Sequence, residues 1–414
     1  MTTDTSATRA GTIALSSTVV TSAMTLGLNL ATGVLTARML GPEGRGSLGV
    51  ALAWIGVSSV LAALGSREGF VVVAAQRSNR LPAAIRSGVA VSLVLGVLGV
   101  VLAQIAAALL VEEQHLRTAI ILFAPLIVLL MLQEVVIGLS AVAGRVWTVM
   151  IARLLTPGAQ VVGLALLGLS GQAVDLTSVL WIYLAAAVLA TAFSMFTMRT
   201  FIASGHLSRE IVRPAIAFGL RAQGLVVAKV LNARLDLLVL PLLVPLYQVG
   251  QYAVATSVST IVVVLFGRLS DILLPRLVIA GPSRRRLTMK VGVAVGASAS
   301  IIALILGLAA DFAIPLLYGD AFSDAGLYVQ ILLPGTVLWA IGTVAVYGLQ
   351  AEGRPGLASL AELCGLVVTV LGLVMLVPSY GVVGACITSA CAYGVAAGVS
   401  VAAFAWPKVE VRSI

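Results

Sequence analysis

Residues 87–111 read SGVAVSLVLGVLGVVLAQIAAALLV, a stretch with no formal charge, bracketed by Arg86 on one side and Glu112-Glu113 on the other. As a helix it would rise about 1.5 Å per residue, enough to cross the roughly 30 Å hydrocarbon slab of a bilayer. Its polar side chains are only Ser87, Ser92 and Gln104, too few to make a water-facing side. The run therefore reads as a membrane span. Working outward from it, runs of the same kind recur near 11–36, 47–66, 118–143, 146–169, 177–198, 215–243, 251–276, 290–310, 326–349, 355–377 and 382–405, making twelve. Lipid offers no partner to an open backbone, and each run far exceeds a barrel strand in length. The expected fold is therefore all-α and polytopic, with about twelve transmembrane helices.

Composition agrees. The 414 residues are 60% hydrophobic and only 10% charged, with a mean hydropathy of +1.12, whereas a soluble domain is about a quarter charged. Two histidines (His115, His206) and three cysteines (Cys364, Cys386, Cys391) are too few for a zinc centre, a haem or a disulfide framework, so no metal is expected. The cysteines lie within spans and read as small apolar packing residues. No Gly-rich stretch follows a strand, so no nucleotide loop and no ATP hydrolysis are expected. Connections do not exceed about twenty residues, which leaves no soluble domain to hold a separate active site.

The net charge of +9 is unevenly sided. Arg67, Arg77, Arg80 and Arg86 lie between spans 2 and 3; Arg199, Arg209 and Arg213 between 6 and 7; Arg276, Arg284, Arg285, Arg286 and Lys290 between 8 and 9. The alternate connections carry Glu112, Glu113, Asp175, Asp311, Asp320 and Asp324, and the first one, with Arg38 and Arg45 against Glu43, is the exception. The positive-inside rule then puts both termini in the cytoplasm and the protein in the cytoplasmic membrane. The first run, preceded by Arg9, is long enough to be a retained span rather than a signal peptide. The basic connections read as topology signals and contacts for anionic membrane lipids, not for nucleic acid.

The halves repeat. Aligning Gly144-Arg145 with Gly353-Arg354 makes Ala152/Ala361, Leu154/Leu363, Val161/Val370, Gly163/Gly372, Leu164/Leu373 and Leu167/Leu376 identical. Counting back from Pro42 and Pro245 brings Asn29 onto Asn232, and Gly65-Ser66-Arg67-Glu68 answers Gly267-Arg268-Leu269-Ser270-Asp271. Two six-helix lobes are expected, residues 1–209 and 210–414, related by a parallel rather than an inverted repeat because both begin on the same side.

Several stretches are similar to a known family. Thr36-Ala37-Arg38-Met39-Leu40-Gly41-Pro42-Glu43-Gly44-Arg45-Gly46 resembles the turn after the first helix of polysaccharide-export flippases. Arg234-Leu235-Asp236 resembles their "R-x-D" signature, and Leu317-Tyr318-Gly319-Asp320-Ala321-Phe322 and Pro378-Ser379-Tyr380-Gly381-Val382-Val383-Gly384-Ala385 look like further family segments. These flippases belong to the multidrug/oligosaccharidyl-lipid/polysaccharide exporter superfamily. The resemblance covers nearly the whole chain. It implies two six-helix lobes forming a V around a central cavity, and alternating access that carries lipid-linked sugars across the membrane.

Ionisable residues within spans sharpen the reading, because each needs a partner or water. They are Glu134, Arg153, Arg221, Lys229, Arg234, Asp236 and Glu362, with Arg67 and Arg268 at the inner mouth. Glu134 and Arg153 lie at equal depth on either side of Gly144 and are expected to pair, although Arg153 has an edge free to face the cavity. Arg221 and Lys229 are eight residues apart and share a broad helix face. Arg221 can alternatively snorkel to headgroups. Arg234 and Asp236 point apart and need separate partners. Fixed cations suit a polyprenyl-diphosphate-linked glycan, since Arg gives bidentate bonds to phosphate and Lys a point charge. Lys229, Arg221, Arg234, Arg153, Arg67 and Arg268 are thus the candidate substrate-binding residues.

Asp236, with Thr369 and Thr388 at comparable depth, is a candidate site for a coupling Na⁺ or H⁺, and Glu362 either titrates or pairs with span 7. Hydrogen bonding of Asp236 to a neighbouring helix is the structural alternative. No other cofactor is expected. The first reading is a flippase, with polysaccharide assembly proteins as candidate partners and a monomer as the default state. A cation-coupled multidrug or small-molecule exporter of the same superfamily is the second reading, favoured by an acidic, aromatic cavity. A membrane-embedded glycosyltransferase or polymerase would need a long outer loop with catalytic side chains, and the longest, around Asp311 to Asp324, is short.

Overall fold

The computed structural model describes residues 3–267 and 269–406, and it is helical throughout, with no strand among the described residues. The helices are α1 (Thr3–Ala63), α2 (Ser66–Gln76), α3 (Leu81–Leu110), α4 (Gln114–Phe123), α5 (Leu126–Val142), α6 (Val146–Leu169) and α7 (Leu176–Ser204). There follow α8 (Arg209–Val239), α9 (Leu246–Gly267), α10 (Leu269–Ile279), α11 (Arg284–Tyr318), α12 (Ala325–Ala351) and α13 (Pro355–Ala405). Eight of these helices are long and apolar enough to cross a bilayer, nine with the α4–α5 pair counted as one span bent by 43° at Ala124-Pro125. Two of them hold two spans each. α1 turns at Gly41 (φ 66°) and α13 at Gly381 (φ 54°), a backbone region that L side chains rarely enter. The 31-residue α8 lies outside that count, carries four ionisable residues along span 7, and completes the twelve spans read from the sequence.

The repeat extends to backbone detail. α2 and α10 are each eleven residues long, and each is followed by a three-residue 3-10 turn, Ser78–Arg80 and Gly281–Ser283, that leads into the next long helix. The hairpin glycines Gly144 and Gly353 have φ of 71° and 74°. The arginine after each reaches the sixth helix of its half: Arg145 donates to the Thr197 carbonyl, Arg354 to that of Trp406. Arg86, early in α3, donates to the Gly205 carbonyl at the end of α7, and Arg285, early in α11, to the Ala405 carbonyl at the end of α13. A helix C-terminus leaves carbonyls without intrahelical donors and attracts cations. Arg86, Arg285 and Arg354 are therefore helix caps as well as charges, whereas the Thr197 carbonyl that Arg145 meets lies seven residues before the end of α7.

By packing, the chain divides into two compact units, residues 1–241 with 245–250, and residues 242–244 with 251–414. The packing boundary follows α8, which lies against α1 and α2, and so differs from the 209/210 boundary read from the duplication. In the first unit Leu48, Phe123, Ile127, Leu164 and Leu180 form one core, and Phe70, Ile85, Val135, Leu139 and Ile211 a second. The contact of α8 is backbone on backbone. A Cβ on Gly65 would lie 2.2 Å from the Gly219 carbonyl oxygen, and one on Gly69 would lie 1.9 Å from that of Ala215. Near the other end of α8, a Cβ on Gly46 would lie 2.2 Å from the Leu246 oxygen and one on Gly250 1.8 Å from that of Pro42. In the second unit α12 meets the last span of α13 in the same way, through Gly335 on Ala390 and Gly342 on Ala397.

Pro214 lies inside α8, which begins five residues earlier at Arg209. Proline lacks the N–H that would bond the carbonyl four residues back. That carbonyl, of Glu210, instead accepts from Arg77 at 3.0 Å, while Arg80 forms an ion pair with the Glu210 carboxylate. The 77–86 connection is thereby pinned to the 205–210 connection, where the Ser208 amide also donates to Ser87 Oγ.

Two outcomes are expected. Gly65→Ala places a side chain against backbone at a positive φ, and its apparent melting temperature in detergent should fall by several degrees, as for a loss of about 1–3 kcal/mol. Gly27→Ala, with nothing within 4 Å of the new methyl, should match the parent. Arg80 holds the Glu210 carboxyl below the usual carboxylate range through its hydrogen bond and charge. A depressed folded-state pKa gives stabilisation that is present above the unfolded value and lost as pH falls through the folded one. Amide exchange across 205–210 should therefore stay slow down through the ordinary glutamate range near about 4.3 and rise below it. In Arg80→Gln the rise should come at higher pH.

Candidate functional site

α8 is covered on one side and open on the other. Ile211, Ala215, Gly219, Ala228, Asn232, Asp236 and Leu237 are buried, the first three on the stripe that meets α2. Farther along, Gln223 Nε2 donates to the Val60 carbonyl of α1 at 2.7 Å. Arg221, Lys229 and Arg234 are exposed, and none makes an ion pair with the described residues. Arg221 stands twelve residues past the helix start, and Lys229 and Arg234 follow in the second half of the 31-residue helix. A cation at span depth without a counter-ion cannot face hydrocarbon at tolerable cost, about 2.5–3.5 kcal/mol on insertion scales. The exposed cations of α8 are therefore expected to meet water or headgroups.

The other predicted substrate residues fare differently. Arg67 opens α2 and lies between two carboxylates, its Nη1 3.0 Å from Glu68 and its Nε 3.1 Å from Glu134. The expected Glu134–Arg153 pair is thus replaced by Glu134–Arg67. Glu134 faces α2 and not α6. It is Gln133, one residue back, that turns toward α6, donating to Thr156 Oγ1 at 3.0 Å. Glu134 shares a face with Gly138, whose missing side chain lets α5 approach Val71 and Arg67. Arg153 is half-buried on α6 and has a partner of its own. Arg268 lies outside the described residues.

For the coupling candidates, Asp236 is buried, and its Oδ1 accepts from the Leu237 amide at 2.7 Å. In the second unit, Thr369 and Thr388 are both buried, their hydroxyls donating to the Gly365 and Gly384 carbonyls. Thr388 packs onto Gly372, one turn beyond Thr369 on the same face of span 11. Glu362 is half-buried and has a partner. Among the described residues no cluster of three or more His, Cys, Asp or Glu side chains can hold a metal ion.

Sequence reading missed one residue outright. Arg45, counted as an exception to the charge alternation, is 8% exposed. A cation packed inside a unit is not a loop charge, so the exception disappears. Its place one residue from Gly46, in a run of small residues next to a proline corner, is the signal that was available.

A bundle of long apolar helices, with exposed cations along one of them, is the architecture of a membrane transporter. The chain belongs to the polysaccharide biosynthesis protein family, whose model matches residues 10–278. No curated protein matches the sequence. Among solved structures, it is similar to an inward-facing multidrug resistance MATE family transporter of the MOP superfamily (TM-score 0.76, 16% identity, 92% of this chain and 93% of that one). It is similar also to the lipid II flippase MurJ in an inward closed conformation (TM-score 0.76, 12% identity, 94% and 87%). A third is a MOP superfamily transporter from Pyrococcus furiosus, described as having a binding pocket of reverse polarity that suggests a different function (TM-score 0.59, 16% identity, 94% of each chain).

The water-facing assignment of α8 is testable by labelling. In a variant with Cys364, Cys386 and Cys391 replaced by serine, Lys229→Cys should react readily with a charged, membrane-impermeant thiol reagent. Leu98→Cys, on the exposed apolar side of α3, should not. Equal, slow labelling of the two would place Lys229 against lipid.

Proposed function

We propose that this flippase-family transporter moves polyprenyl-diphosphate-linked oligosaccharide from the cytoplasmic to the outer leaflet, by alternating access, for an exported polysaccharide. One observation carries the reading: Arg221, Lys229 and Arg234 are exposed along α8 and unpaired with any described carboxylate. A diphosphate brings about two to three negative charges, and the low-dielectric slab makes fixed cations its natural counter-charge. A cavity for cationic drugs would need the opposite sign. The fold does not separate the two cargoes, since a multidrug transporter and a lipid flippase are equally similar to it. Side-chain polarity favours the lipid-linked cargo.

In this reading Lys229 and Arg221 contact the diphosphate and Arg234 an outer subsite. Arg153 is a further candidate contact, and Arg268, outside the described residues, remains a candidate from the sequence alone. Arg67, flanked by Glu68 and Glu134, positions the mouth more than it clamps phosphate. Asp236, Thr369, Thr388 and Glu362 supply the candidate Na⁺ or H⁺ coupling. The hydroxyls of Thr369 and Thr388 donate within their own helices and keep lone pairs for a cation. The basic connections face the cytoplasm, with both termini, in the cytoplasmic membrane. The protein acts as a monomer among membrane lipids, alongside polysaccharide assembly proteins.

The test uses liposomes loaded with a diphosphate-linked glycolipid, scoring how fast the sugar becomes accessible to an added glycosidase. The parent should accelerate exposure over protein-free vesicles. Lys229→Ala should slow it about ten-fold, the scale of one lost charge-assisted bond, with Lys229→Arg largely active and both folded. Unchanged flipping in Lys229→Ala would remove the phosphate-clamp role. Absent flipping with efflux of a cationic dye would transfer the protein to the drug-exporter class.

A further inference from the structure

On the basic end of the first unit, near the start of α8 and twelve or more residues from its exposed cations Arg221, Lys229 and Arg234, a groove of about 470 Å³ runs between α3 and α7. Arg86, Val89 and Leu93 line it from α3, and Met195, Arg199 and Ile202 from α7. No carboxylate lines it. Its two cations are held in place. Arg86 is anchored by donation to the Gly205 carbonyl at 3.1 Å, which leaves most of its guanidinium donors unused. Arg199 stacks on Phe196, its Cζ 3.9 Å from the ring centroid. Beyond Leu93 the same helix continues as an exposed apolar rail through Val94, Val97 and Leu98, the surface that hydrocarbon must cover.

We propose that this groove binds one anionic glycerophospholipid of the surrounding leaflet, its phosphate between Arg86 and Arg199 and an acyl chain along Leu93 and Val97. The charge pattern selects the occupant. Two guanidinium groups with no acid beside them attract a singly anionic phosphodiester and repel the ammonium of a zwitterionic headgroup. The apolar floor and the rail attached to it distinguish a lipid phosphate from a free one. A lipid seated here would also tie α3 to α7 just where Arg86 caps the end of α7. The site is separate from the α8 cations, so it stands whether or not the protein flips glycolipid.

The experiment is native mass spectrometry of the full-length protein released from nanodiscs of equimolar phosphatidylglycerol and phosphatidylcholine. The parent should retain one phosphatidylglycerol. Arg199→Gln should lower that occupancy about five-fold, the effect of one basic residue at a membrane surface. Ala90→Trp, which fills the groove without removing charge, should lower it as well. Arg117→Gln, near the opposite end of α3, should not. Retention of the two lipids in equal amounts would overturn the proposal, as would unchanged occupancy in both groove variants. Two competition arms separate the phosphate sources. Displacement by soluble glycerol phosphate, or by undecaprenyl diphosphate in preference to phosphatidylglycerol, would each exclude the lipid proposed.

Discussion

Hydrocarbon gives a polar group nothing to bond, and most of what is specific in this chain answers that constraint. Turns between spans are made by glycines at positive φ, Gly41, Gly144, Gly353 and Gly381 among them, so that few residues leave the helix. Carbonyls that the helices leave open are met by arginines from neighbouring elements, as Arg86 meets Gly205 and Arg77 meets the Glu210 carbonyl that Pro214 sets free. Glu134 is held by Arg67 and Gln133 by Thr156. Against that background of matched groups, three cations on one helix without a carboxylate are a departure, and a departure of this cost is where function is expected.

The duplication makes the departure easier to read. The halves share glycine corners, eleven-residue second segments and arginine caps at equivalent places. Such features serve the fold, because both halves need them. The cations of α8 are not shared. In the register that sets Asn29 on Asn232, Arg221, Lys229, Arg234 and Asp236 fall opposite Thr18, Leu26, Ala31 and Gly33. One copy of the span is neutral and the other carries four ionisable groups. What the repeat preserves is architecture, and what it breaks is the charge of this span.

The spans were legible because apolar length is a one-dimensional property. Their number, their alternating charge and the register of the two hairpin glycines follow from counting along the chain. Faces are harder. Depth put Glu134 level with Arg153, but a helix turns 100° per residue, and the neighbour of α6 is Gln133. The partner of Glu134 lies 67 positions back, in a short helix whose approach depends on the absent side chain of Gly138. Arg45 looked like a loop charge because burial is not written in a residue's own neighbourhood. The capping arginines were read as topology signals alone. A carbonyl in need of a donor has no signature in composition, except where a proline such as Pro214 announces one.

Equal similarity to a multidrug transporter and to a lipid flippase carries a lesson about where selectivity resides. Both neighbours share this fold with the chain at 16% identity or less. Cargo must then be chosen by the few side chains that meet it. The close glycine contacts of α8, Gly65 with Gly219 and Gly69 with Ala215, seat that helix by its backbone and leave its exposed positions to the residues that project from it. A change of the side chains exposed on α8 would then need no new packing. The asymmetry of the two half-repeats is the kind of trace such a change leaves.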